Sequence, residues 1–205
     1  MSRKDRSNSG QGYSDRKMAN RKPIPTFLIV CEGAKTEPNY FRSFPVSTRP
    51  EIEVVGAGCE TINVVRKALE LNKDGKFNRV WCVFDRDPSP DETAQRFNNA
   101  LQLAKSKGIS VAYSSECFEI WYLLHFNLYS TAIPRKDYGK LSTKLLQIEY
   151  EKNSDDMYNI LEDKQPQAIK HAKNLFVSYE PHNPESDNPV TTVHLLVEEL
   201  NKYIR

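Results

Sequence analysis

The chain has 205 residues, 39% hydrophobic and 27% charged, with a net charge of +2; this is the make-up of one globular domain, alone or with an appendage, and it is long enough to bury a core. No apolar run approaches the ~20 residues a membrane span needs. The polar, basic N-terminus lacks the apolar core of a signal peptide, so a cytoplasmic protein without a membrane partner is expected. The charge is uneven: residues 1–22 hold seven Lys or Arg against two Asp, and this arm of +5 leaves −3 for residues 23–205. Rich in Ser, Asn, Gly and Arg, residues 1–22 read as a disordered basic tail. Such an arm binds nucleic acid through phosphates or simply keeps the protein soluble.

From residue 26 onward, apolar runs alternate with helical patterns. Strands are expected at Thr26–Cys31, Glu51–Val55, Arg79–Phe84 and Ile109–Tyr113. Helices are expected between them, at about Pro38–Phe44, Thr61–Leu71 and Asp91–Lys107, with apolar residues at three- and four-residue steps. This alternation predicts an α/β fold with a mostly parallel sheet covered by helices. Beyond Tyr113 the pattern turns helical. Cys117–Phe126 is a dense apolar segment and reads as a buried helix. Leu141–Tyr150, Pro166–Tyr179 and Val190–Tyr203 read as amphipathic helices, and "EPHNPESDNP" at 180–189 reads as a loop. Without a convincing linker, residues 23–205 are expected to form one α/β domain whose C-terminal part, from about 128, is helical. The four cysteines are scattered and lack CxxC spacing, so they read as small buried hydrophobes rather than a zinc site or disulfide frame.

The chemistry concentrates where two strands end. "TFLIVC" runs into Glu32 and Gly33, and "RVWCVF" runs into Asp85, Arg86 and Asp87. Residues two apart in extended chain point to one side, so Asp85 and Asp87 share a direction that Arg86 does not; a salt bridge is the expected fate of Arg86. Pro88 and Pro90 are expected to stop the strand. Ligands of open α/β sheets gather at the carboxyl ends of strands. If the first and third strands are parallel neighbours, Glu32, Asp85 and Asp87 meet at one edge. Three carboxylates there repel one another unless a cation neutralises them, and a hard divalent ion suits oxygen donors. Alone, each motif is ordinary turn or helix-cap chemistry. In this order, at the ends of two buried strands, they point to a metal site suited to phosphodiester cleavage.

"FLIVCEG", followed some fifty residues later by "VWCVFDRD", resembles the Toprim pattern of topoisomerases, primases and OLD-family nucleases. Together with "CEGAKTEPNYF" at 31–41, "CFEIWYLLHF" at 117–126 and "NPVTTVHLLVEEL" at 188–200, the chain resembles the RloB family, also called AbiLii-type. The resemblance implies a Toprim-like core with added helices. It also implies roles for Glu32 as general acid/base or metal ligand and for Asp85 and Asp87 as holders of Mg2+, with Mn2+ as an alternative. It further implies an anti-phage, abortive-infection setting, with an AAA- or ABC-type ATPase as partner, nucleic acid as substrate and this chain as the nuclease subunit. The glycine that usually follows Asp-x-Asp is replaced here by "PSP". Nothing corresponds to a topoisomerase tyrosine domain or a primase zinc domain, so neither of those activities is expected. The alternative is a non-catalytic subunit that binds nucleic acid or the ATPase.

Other residues have two readings. Glu119, inside "CFEIWYLLHF", needs a partner if buried, and joins the catalytic candidates Glu32, Asp85 and Asp87. Glu116 is expected to cap the same helix, and Glu37 to supply negative charge at a helix start. Lys35 is placed to meet a phosphate as a point charge. His125 and His171 lack metal-ligand spacing partners and read as structural. With no GxxxxGK[ST], ATP binding through a P-loop is not expected of this chain.

Overall fold

The computed structural model describes residues 25–45, 51–87 and 92–204. The basic tail at 1–22 and the strand-stopping role expected of Pro88 and Pro90 lie outside the described residues. Four strands form one sheet: β1 (Thr26–Cys31), β2 (Glu51–Gly56), β3 (Arg79–Arg86) and β4 (Ser110–Ser115), all parallel, in the order β2-β1-β3-β4. The central strands β1 and β3 are nearly all apolar because both of their faces are covered.

The chain winds first one way from β1 and then the other. Helix α1 (Thr36–Arg42) therefore lies on one face of the sheet, while α2 (Thr61–Leu71) and α3 (Glu92–Ser106) lie on the opposite face. The α1 face also carries α4 (Glu119–Leu124), α6 (Met157–Leu161), α7 (Gln165–Ser178) and α8 (Val193–Asn201), and α5 (Tyr138–Leu146) packs beside α4. Its core joins Phe27, Ile29, Trp81 and Val83 of the sheet to Tyr40, Phe41, Trp121, Tyr122 and Leu196. Each such buried side chain is worth roughly 1.5–3 kcal/mol of transfer free energy. The opposite core is smaller, built from Leu28, Val30, Cys82 and Phe84 against Val64, Val65, Phe97 and Ala100. These are the alternate residues of the same strands, as the two-residue period requires.

The expected strand Thr26–Cys31 and helix Thr61–Leu71 appear unchanged, and the other expected elements appear with shifted ends. The helix anticipated over Cys117–Phe126 is the shorter α4, and the last helix begins at Val193 rather than Val190. Residues 190–192 instead run antiparallel beside β4: the Ser115 amide donates to Val190 O (2.9 Å) and the Thr192 amide to Tyr113 O (2.8 Å). Cys31, Cys82 and Cys117 are buried free thiols, and Cys59 is half-buried. None of the described helices is long and apolar enough to cross a membrane.

Candidate functional site

The reversal of winding opens a crevice between the carboxyl ends of β1 and β3, the standard ligand position of such sheets. Register pairs Cys31 with Val83. Glu32 and Asp85 thus leave adjacent strands one step apart. The Glu32 amide still donates to Val83 O (2.8 Å), which fixes the backbone. Its carboxylate accepts from the Asp85 amide at Oε2 (3.0 Å) and from Thr61 Oγ1 at Oε1 (3.1 Å). The chain's first acid is therefore tied directly to the backbone of its second.

Asp85 and Asp87 both face Arg135, at 3.8 and 3.7 Å, so the two carboxylates share a side as the alternation requires. Asp85 is 19% exposed and Asp87 53% exposed, which grades the pair from crevice to solvent. Glu119 is buried at the first turn of α4 and accepts from the Tyr150 hydroxyl (3.0 Å). Glu37 is buried in the first turn of α1, where negative charge is favoured, and its carboxylate lies over Gly33. A Cβ on Gly33 would stand 2.1 Å from Glu37 Oε2, so glycine is what lets the carboxylate descend onto the loop. Gly56 plays the same part from β2, since a Cβ there would meet the Ala34 carbonyl at 2.7 Å.

The result is a cleft of about 540 Å3 with acids from three directions: Glu32 and Glu37 from the β1–α1 loop and helix, Asp85 and Asp87 from β3, and Glu119 from α4. Burial raises the Glu32 pKa, held back by the Asp85 amide and the Thr61 hydroxyl. Burial also raises that of Glu37, and the nearby Glu119 and Glu32 charges add to the rise. Asp85 is pushed well up, first by burial and then by Glu37, Glu32 and Glu119, with Arg135 opposing. Cys117 lies in the same field; burial and the neighbouring Glu119 and Asp85 charges push its thiol up, which disfavours the thiolate.

Four sequence candidates, Glu32, Asp85, Asp87 and Glu119, line this one cleft. Among the described residues, no group of three or more His, Cys, Asp or Glu side chains is already gathered closely enough to hold an ion. The donor chemistry nonetheless suits one: the oxygens are hard, their charges repel, and Arg135 spans Asp85 and Asp87 beyond hydrogen-bond range. Glu37 belongs to the cluster more closely than a helix-start role suggests. Thr61, Arg135 and Tyr150 were not foreseen. Arg135 opens a short 3-10 turn at Arg135–Asp137, in a stretch without periodic signal.

Three expectations are corrected or narrowed. Arg86 makes no carboxylate pair among the described residues. It is buried on the far side of β3 and donates to the carbonyls of Glu185 and Asp187, the latter at 3.1 Å, because the 180–189 loop offers it backbone acceptors. Glu116 does not cap α4: it has a positive φ of 64°, and its carboxylate accepts from Asn188 Nδ2 (3.0 Å). Lys35 lines the cleft but is exposed, so its contact with a phosphate stays a proposal. His125 and His171 are buried against the Trp121 and Leu124 carbonyls at 2.8 and 2.7 Å, in structural positions. His182 joins Tyr113 (2.7 Å) and Asp187 (2.5 Å) beneath the 180–189 loop, which no sequence pattern indicated.

No curated protein and no solved structure significantly matches the chain. A family model described as RloB-like protein matches residues 27–200, and with a match over most of its length the chain belongs to the RloB-like family.

Proposed function

We propose that this chain is a Mg2+-dependent nuclease, with Mn2+ as an alternative ion, acting as the effector subunit of an anti-phage abortive-infection system beside an AAA- or ABC-type ATPase. Its core is read as Toprim-like. The observation that carries the reading is the meeting of Glu32 with Asp85 at the winding reversal, with Asp87 on the same rim. Asp85, Asp87 and Glu32 are the residues that would hold the ion. Once bound, it would stabilise negative charge on a phosphodiester under attack and make water a better nucleophile.

The chain's own residues supply the rest. Thr61 and the Asp85 amide fix both oxygens of Glu32, and burial raises its pKa above the ordinary carboxylate value, in the direction a proton-transferring group needs. Glu119, steadied by Tyr150, adds to the negative field that draws a cation into the cleft. The test is cleavage of DNA and RNA by the chain with its ATPase partner, in Mg2+ or Mn2+. Asp85→Asn is expected to abolish cutting while the fold survives. Full cleavage by that variant would remove the site from the reaction.

One observation favours a second reading, a non-catalytic subunit that binds nucleic acid or the ATPase: Arg135 already lies across both aspartates. Thermal melting separates the two, because ligation by several carboxylates stabilises the fold by mass action. No shift at millimolar Mn2+ would favour the second reading.

A further inference from the structure

The cleft is lined by six carboxylates and only four basic side chains. Of the four, Arg96 is engaged with Glu60 at 3.1 Å, while Lys35 and Lys152 are exposed at the mouth. Among the described residues, Arg135 is the one basic side chain paired with the strand-end aspartates. Its hold on them is electrostatic: 3.8 Å to Asp85 and 3.7 Å to Asp87 are ion-pair distances outside hydrogen-bond range. The side chain is 48% exposed and rises from a three-residue 3-10 turn. A guanidinium built to clamp carboxylates would be bidentate and close. This one is held at longer range, and its planar donor fork borders the open cleft, where a phosphate would lie.

We propose that Arg135 is an exchangeable counter-ion: it stands between Asp85 and Asp87 in the metal-free protein, yields that place to a divalent cation, and then binds the phosphodiester backbone of a nucleic acid. The exchange rests on the metal-dependent reading above and adds the residue that couples the two ligands. A cation and an anion would otherwise be admitted separately. Here the arrival of the first frees the donor for the second, so metal and nucleic acid bind with positive linkage. The same arrangement disfavours phosphate in the metal-free cleft, because the basic group paired with the two aspartates is occupied and the six carboxylates outnumber the four basic side chains.

The experiment uses the full chain and three variants, Arg135→Gln, Arg135→Lys and Asp85→Asn, each first shown by circular dichroism to be folded. Mn2+ binding is measured by calorimetry at low ionic strength. Removing the competing charge in Arg135→Gln is expected to tighten Mn2+ binding about tenfold, with Arg135→Lys near wild type. Labelled single-stranded DNA and RNA oligonucleotides are then titrated, with Ca2+ present to suppress cleavage. The Gln variant is expected to bind them about tenfold more weakly, and the two probes show which backbone is preferred. Unchanged or weaker Mn2+ binding in Arg135→Gln would overturn the exchange and leave Arg135 a structural strut. Tighter Mn2+ binding with unchanged oligonucleotide affinity would overturn the hand-over to phosphate. Failure of the metal-site reading looks different: wild type would then show no Mn2+ binding, or binding that Asp85→Asn leaves intact, and the exchange would fall with it.

Discussion

Asp85 and Arg86 are neighbours in sequence, yet the two sides of β3 treat them in opposite ways. On one side, Asp85 joins Glu37 and Glu119 in a cleft where like charges crowd and one distant arginine opposes them. On the other, Arg86 is buried beneath the 180–189 loop, and backbone carbonyls satisfy two of its nitrogens. There Asp187 accepts from the Asn183 amide (2.8 Å) and pairs with His182, which also meets Tyr113. Both clusters hold charge at the end of the same strand. The Arg86 cluster carries its own opposite charge in Asp187 and satisfies two of the three Arg86 nitrogens with carbonyls, leaving Nε without a partner among the described residues, which is mainly how a fold uses buried polarity for structure. The Asp85 cluster is left short of positive charge, which is how a site prepares for a ligand.

The sharpest test of this contrast swaps the two losses. Asp85→Asn should cut metal-dependent cleavage by about 100-fold or more while leaving stability equal or higher, since it removes a repelled buried charge. Arg86→Ala should do the reverse, costing about 2–4 kcal/mol in urea unfolding because the Glu185 and Asp187 carbonyls lose their donor. If Arg86→Ala kept full stability, the division into a structural and a reactive side would be wrong. Gly33→Ala sharpens the same point at smaller cost. The obstructing atom is the tip of a flexible Glu37 side chain, so unfolding should show a loss of only about 1 kcal/mol. Cleavage should fall by about tenfold or more as the carboxylate is pushed aside.

Next in size is the response to metal and pH. At ten times its Kd, Mn2+ should stabilise the wild type by about 1.4 kcal/mol, read as a higher Tm, and should do nothing for Asp85→Asn. The folded pKa values of Glu32, Glu37 and Asp85 lie above 4.5, 4.5 and 3.8 respectively. These groups therefore take up protons on folding. Their contribution to stability is complete below pH 3.8 and is lost as pH rises through the folded values. The Tm of the metal-free protein should carry this downward slope, and Asp85→Asn should flatten it. A slope unchanged by Asp85→Asn would argue against a crowded acid site. The smallest effect is expected of Tyr150→Phe, which frees Glu119 at a cost of about 1 kcal/mol in the same unfolding measurement.

The sheet and its helices were legible because apolar period and length report burial directly. Thr61–Leu71 appears with the same ends, and β3 runs just two residues past its apolar core. The shared rim of Glu32, Asp85 and Asp87 was legible because strand ends converge once the strands are parallel neighbours, and Glu119 stood out as a carboxylate inside an apolar segment. What escaped depends on contacts between distant segments. Arg135 and Tyr150 sit 48 and 31 residues beyond Asp87 and Glu119, in stretches whose local pattern carries no sign of either contact. Arg86 found carbonyls rather than a carboxylate because a loop about 100 residues later folds back over it. Glu116 lost its cap role to a left-handed backbone turn, and the five-residue α6 is too short to show a period.

The antiparallel pairing of residues 190–192 with the end of β4 has a consequence for the timing of assembly. The layer under α2 and α3 draws most of its residues from the first 113 positions, so a ribosome-bound chain can largely complete it early. The layer that backs α1 and α4, and hence Glu37 and Glu119, awaits Val193, Leu196, Val197 and Leu200. The acid-lined cleft therefore gains its full backing only once α8, the last of the described helices, has joined the fold.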